Sequence, residues 1–134
     1  MKNILVTGAN RGLGLGLVKK FLENGEKVFC TTRNISKSKE LMLCKEKYRD
    51  SLKICELDIL DKDLPNILKN FLRDNPIDLF INNAGVIGHS NQHFKSISLN
   101  PWLEVLKVNL IAPLLITQTI IKNIEKSLEK KIYI

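Results

Sequence analysis

With 134 residues the chain has room for one modest hydrophobic core and not for two. A hydrophobic share of 44% beside 26% charged residues is that of a water-soluble globular domain, and no run approaches the roughly 18 uninterrupted apolar residues of a membrane span. The net charge of +7 comes from lysines scattered along the whole chain and not from one basic stripe interleaved with aromatics, so they read as a solvated surface and not as a nucleic-acid face. Cys30, Cys44 and Cys55 form no C-x-x-C pair and leave an odd count, which suggests neither a disulfide framework nor a zinc site. Met1-Lys2-Asn3 leads straight into an apolar run, so no leader is expected and the cytoplasm is the expected location.

The first predicted strand covers residues 3–7 and leads into Thr7-Gly8-Ala9-Asn10-Arg11-Gly12-Leu13-Gly14. Apolar residues at helical spacing follow, Leu13, Leu17, Val18, Phe21 and Leu22, so a helix is expected over 12–24 with Gly25 as its stop. Strand, glycine turn and helix in that order write a phosphate cradle. Gly8 lets the chain leave the strand through dihedrals a Cβ forbids, Gly12 permits close backbone approach to a pyrophosphate, and Gly14 lets helix and strand pack tightly. The helix start adds unpaired N–H groups and about half a positive charge.

Strand two is predicted over 27–32, a helix over 36–49 capped by Ser36, and strand three over 52–57, with Asp58 and Ile59 at its carboxyl end. A helix follows from 61 or 62 to 73, with Pro65 in its first turn, where no intrahelical N–H is needed. Strand four, 77–82, is nearly all apolar and is expected to be buried on both faces; it ends in Asn82-Asn83-Ala84-Gly85. Residues 86–100 read as a polar loop holding His89 and His93, which read as surface histidines. Asn100 as cap and Pro101 as first residue open a long helix over 101–128 that Pro113 should bend. Its apolar residues cover more than one face: either it meets a second surface, such as a partner copy in a homo-oligomer, or it buries one wide stripe. A fifth strand begins at Lys131. The alternation of strands and helices predicts an α/β doubly wound parallel sheet with strand order 3-2-1-4-5.

The Thr-Gly-x-x-x-Gly-x-Gly turn, Asp58 after strand three and Asn82-Asn83-Ala84-Gly85 after strand four together resemble the short-chain dehydrogenase/reductase family. The turn is most similar to that of small cytosolic carbonyl reductases. The resemblance implies a Rossmann fold, a nicotinamide dinucleotide and hydride transfer to or from a small-molecule carbonyl or alcohol substrate. It implies that Thr7, Gly8, Asn10, Arg11, Gly12, Leu13 and Gly14 meet the pyrophosphate region, that Asp58 and Ile59 meet the adenine, and that Asn83, Ala84 and Gly85 border the adenosine ribose. It implies further that Asn109 is the active-site asparagine that distorts its helix and orders a water in a proton relay; the alternative is a polar residue capping the bend before Pro113. Cofactor choice follows from charge. A carboxylate after strand two would accept from NAD ribose hydroxyls and repel a 2′-phosphate, whereas Thr31-Thr32-Arg33 offers none. Arg33 and Arg11 therefore favour NADP(H). The family's serine and Tyr-x-x-x-Lys are not found here, and Tyr133 reads as a strand residue, so the expectation is the N-terminal half of an oxidoreductase, inactive alone, or else a non-catalytic nucleotide-binding module.

Overall fold

The computed structural model describes residues 1–90 and 93–134; Asn91 and Gln92, within the expected 86–100 loop, lie outside the described residues. Five parallel strands, β1 (Asn3–Val6), β2 (Lys27–Thr32), β3 (Leu52–Glu56), β4 (Leu79–Ile81) and β5 (Lys131–Tyr133), form one sheet in the order β3-β2-β1-β4-β5, as expected. The alternation of side chains along each strand sends neighbouring residues to opposite faces, so an apolar run buries both. Leu5, Phe29 and Phe80 face α3 (Leu64–Leu72) and α5 (Ala112–Glu125), where Leu68, Leu72, Ile116 and Ile120 complete the packing. Ile4, Val6, Val28 and Cys30 face α1 (Gly12–Glu23) and α2 (Lys39–Tyr48), against Leu15, Val18, Leu22 and Leu41. Each such side chain contributes about 1.5–3 kcal/mol relative to exposure.

Helix α1 ends as Gly25 predicts. Its φ is +78°, the Gly25 N–H donates to the Leu22 carbonyl and the Glu26 N–H to the Phe21 carbonyl, the paired bonds of a Schellman stop. Several expected boundaries are corrected. Helix α2 starts at Lys39 and not at Ser36, because Asn34 Oδ1 takes both the Ser36 hydroxyl (2.7 Å) and the Lys37 N–H (3.2 Å), closing a turn where the helix was expected. Helix α3 starts at Leu64, since the Asp61 carboxylate accepts the Asp63 N–H and holds residues 61–63 in a turn. Strand β4 is shorter than expected and only Phe80 is fully buried. Leu79 and Ile81 point to the α1–α2 face, where α1 packs over β1 and β2, and α2 over β3.

The long helix begins two residues before Pro101, as α4 (Leu99–Leu106) with Ser98 in the cap position and not Asn100. It continues as a π-helical turn (Lys107–Ile111) into α5, which ends at Glu125, three residues before the expected Leu128. The expected bend thus takes the form of a π turn placed just before Pro113. Pro113 has no N–H to offer the Asn109 carbonyl, and the Ala112 N–H reaches back five residues to the Lys107 carbonyl. Over Leu99–Glu125 the 27 residues are long and apolar enough to cross a bilayer, with mean hydropathy 1.4 in the most apolar stretch, yet Ile116, Ile120 and Ile124 are core residues of the sheet. The opposite side of the helix, including Leu103, Leu106, Leu110 and Leu114, is exposed, so the single wide buried stripe is not what forms.

Candidate nucleotide-binding site

The carboxyl ends of β1 and β4 are locked together by side chains of the glycine turn and of Asn82-Asn83-Ala84-Gly85. Thr7 is fully buried; its Oγ1 accepts the Asn83 and Ala84 N–H groups (both 3.1 Å) and donates to Asn82 Oδ1 (3.4 Å). Asn83 Nδ2 donates to the Thr7 and Gly8 carbonyls, each at 3.0 Å. On the other side of β1 the Ala9 N–H donates to the Thr31 carbonyl (2.9 Å). The turn is therefore held from both neighbouring strands before any ligand arrives.

The glycines have separate reasons. Gly8 has φ +68°, and a Cβ there would stand 2.9 Å from Ala84 Cα. Gly12 has φ +58°, and a Cβ would meet nothing within 4 Å. Gly14 is the contact point between α1 and the turn, where a Cβ would lie 2.4 Å from both Asn83 Nδ2 and the Gly8 carbonyl oxygen.

In front of this turn opens a cleft of about 770 Å³. The β1 turn contributes Gly8, Asn10, Arg11 and Gly12, the end of β3 contributes Asp58 and Ile59, and the end of β4 contributes Asn83, Ala84 and Gly85. Arg33 enters from the end of β2. Ten of the residues expected at a cofactor thus line one cleft. Thr7 and Gly14 are buried behind it, and Leu13 is exposed at the start of α1, so these three do not line it. Asp58 uses Oδ1 to accept the Leu60 N–H at 2.9 Å, which shapes its own turn.

Asn109 also stands outside the cleft lining, within the π turn. Its Oδ1 accepts the Val86 N–H (2.9 Å) and its Nδ2 donates to the Val86 carbonyl (2.8 Å), so its amide clamps the residue that follows Gly85. Both side-chain atoms are committed to this clamp. The expected distortion of the helix at Asn109 is present, and the side chain acts on the backbone beside the cleft. His89 lines a separate pocket of about 250 Å³ with Trp102 and Val105, and no metal-holding group of His, Cys, Asp or Glu occurs among the described residues.

Sequence reasoning missed Asn34, Lys37, Glu104 and Val108, which also line the cleft. Lys37 carried a usable signal, because it lies four residues after Arg33 in the connection leaving β2; Glu104 and Val108 reach the cleft only through the fold.

The geometry fits a dinucleotide. Helix α1 starts with no side-chain cap and no acidic residue in its first turn, so its first N–H groups have no anionic partner of their own beside Gly12. Arg11, Arg33 and Lys37 put three cations on the same cleft.

A protein-family model described as short chain dehydrogenase matches residues 2–132. The chain is 30% identical over 125 residues to 3-oxoacyl-(acyl-carrier-protein) reductase FabG of Aquifex aeolicus (strain VF5), covering 91% of this chain and 50% of that protein. It is 30% identical over 112 residues to the NADP-dependent 3-hydroxy acid dehydrogenase YdfG of Escherichia coli O6:H1, covering 79% of this chain and 42% of that protein. A crystal structure of a carbonyl reductase from Pseudomonas aeruginosa PAO1 in complex with NADP superposes with a TM-score of 0.84 at 32% identity, covering 89% of this chain and 54% of that one. The chain spans about half the length of the relatives it matches. With residues 2–132 of the chain matched by the family model and the strand order and glycine turn in place, the chain belongs to the short-chain dehydrogenase family.

Proposed function

We propose that the cleft binds NADP(H) and that the chain serves an oxidoreductase acting on a small-molecule carbonyl or alcohol. The observation that carries this reading is the convergence of Arg11 from the β1 turn and of Arg33 and Lys37 from the connection after β2 on one cleft, with no acidic residue in Thr31-Thr32-Arg33-Asn34 itself. A 2′-phosphate accepts from guanidinium groups in charge-assisted bonds, and a carboxylate there would repel it. The NADP complex of the Pseudomonas carbonyl reductase and the NADP-dependent Escherichia coli dehydrogenase support the same choice.

In this reading the uncapped start of α1 and the backbone at Gly12 take the pyrophosphate, Asp58 and Ile59 border the adenine, and Asn83 to Gly85 border the adenosine ribose. Bound NADPH supplies the hydride. Asn109 holds Val86 and so fixes the wall of the cleft that continues from Gly85. The exposed apolar side of the long helix, with Leu110 and Leu114, is the surface we assign to a second copy of the chain; Leu110→Lys should then lower the mass seen by sedimentation equilibrium, and a wild type already monomeric would refute that assignment.

Titration of NADP+ and NAD+ against the wild type and Arg33→Ala tests the cofactor reading. A charge-assisted hydrogen bond is worth about 1.5–3 kcal/mol, so the substitution should weaken NADP+ roughly ten- to a hundredfold and leave NAD+ nearly unchanged. Equal losses for the two cofactors would refute it.

A further inference from the structure

The connection leaving β2, residues 33–38, carries two exposed cations that line the cleft, Arg33 and Lys37. Long exposed side chains lose rotamer freedom when they grip an anion, so a selective grip requires a backbone that is already fixed. Asn34 fixes part of it. Its Oδ1 accepts from Ser36 and from the Lys37 N–H, and its carbonyl accepts from the buried Ser38 hydroxyl at 2.6 Å. The middle of the connection is tied to the sheet by Glu56, the last residue of β3 and the register partner of Thr32, whose Oε2 accepts the Ile35 N–H at 2.7 Å.

Charge alone argues against an acidic residue at that place, because a carboxylate beside two cations weakens their pull on an anion. Its hydrogen bond supplies a reason for it. We propose that Glu56 is a positioning residue for recognition of the cofactor 2′-phosphate: by holding Ile35 it sets Arg33 and Lys37, two residues away on either side, toward the same anion, with Lys37 as the second gripping cation. The proposal rests on the NADP(H) reading above.

Two substitutions separate reach from charge. E56D keeps the charge and loses a methylene of reach, and E56Q keeps the reach and an acceptor oxygen without the charge. NADP+ and NAD+ are titrated against the wild type, E56D, E56Q and Lys37→Ala, with the urea midpoint of each recorded. E56D and Lys37→Ala should weaken NADP+ roughly five- to tenfold, the loss expected for about one hydrogen bond or one partly screened contact, and leave NAD+ within about twofold. E56Q should bind NADP+ at least as tightly as the wild type. An E56D chain with wild-type NADP+ affinity, equal losses for both cofactors, or an E56Q chain as impaired as E56D would overturn the proposal while a selective wild type left the NADP(H) reading standing. A wild type that binds NAD+ as tightly as NADP+ would overturn that reading and this proposal with it.

Discussion

Adding one methyl group to each glycine of the β1 turn should separate the residues that hold the fold from the residue that admits the ligand. In Gly14→Ala the new Cβ would lie 2.4 Å from the Gly8 carbonyl oxygen and from Asn83 Nδ2, so backbone or Asn83 must move. Moving Asn83 breaks its bonds to the Thr7 and Gly8 carbonyls, about 1 kcal/mol each, and forcing a methyl into a packed contact adds about 1–3 kcal/mol. The expected loss is about 3–5 kcal/mol, a large part of the roughly 5–15 kcal/mol that holds a domain folded. Gly12→Ala meets no atom within 4 Å and carries only the penalty of φ +58°, about 1–2 kcal/mol. Its methyl nevertheless enters the lining of the cleft, so nucleotide affinity should fall by at least about tenfold. Gly8→Ala, with φ +68° and a 2.9 Å approach to Ala84, should fall between the two in stability. Urea unfolding gives the stabilities and NADP+ titration the affinities. A Gly14→Ala chain no less stable than Gly12→Ala would show that the contact between α1, Asn83 and the turn is not what holds the site.

Asn109→Ala removes both bonds to Val86; because that residue is exposed, the cost should be about 1–2 kcal/mol, with Val86 amide exchange accelerated roughly tenfold or more in hydrogen-exchange measurements. Burial, with smaller contributions from Cys55 and Cys44, raises the Cys30 thiol from an ordinary 9.0 to about 12, so its stabilisation is complete below pH 9 and is lost as pH rises from 9 toward 12. Cys30→Val should flatten the fall of urea-derived stability across that window relative to the wild type, and an unchanged slope would reject the assignment. Residues 1–134 assayed alone should bind NADP(H) without reducing a panel of aldehydes and ketones, since proton delivery to a developing alkoxide is worth about 10²- to 10⁴-fold and, among the described residues, no histidine, tyrosine or cysteine lines the cleft. NADPH consumption that persists through purification would contradict this.

What was legible in the sequence were the features the backbone itself enforces. The glycine spacing, Asn82-Asn83-Ala84-Gly85 and the strand order all hold because positive φ, close approach and right-handed crossovers allow few alternatives. Features set by competition between local hydrogen bonds were not legible. Ser36 looked like a cap, but Asn34, two residues earlier, captures it together with the Lys37 N–H and delays α2. Pro113 announced a bend and the resemblance placed a distortion at Asn109, but its form, a π turn over 107–111 set by a missing N–H that acts on a carbonyl four residues earlier, was not legible. Glu56 and Ile35 are 21 residues apart and meet only because β2 and β3 are paired. No local pattern in the chain announces such a tie.

The two sides of the cleft therefore answer to different constraints. On the buried side, Thr7, Gly14 and Asn83 join β1 to β4, so the geometry of the phosphate turn and the pairing of two central strands belong to one folding equilibrium. On the exposed side, Arg33, Lys37 and Glu56 shape a connection whose exposed charges contribute little to stability. Ligand linkage makes the difference measurable, because a nucleotide at a hundred times its dissociation constant adds about 2.7 kcal/mol to the folded state. That gain offsets the backbone penalty of Gly12→Ala, about 1–2 kcal/mol, if enough cofactor is supplied to overcome the weaker binding. It falls short of the roughly 3–5 kcal/mol expected for Gly14→Ala, which no accessible cofactor concentration of that order should restore to wild-type stability. The cofactor can thus rescue a damaged lining but not a damaged lock between β1 and β4.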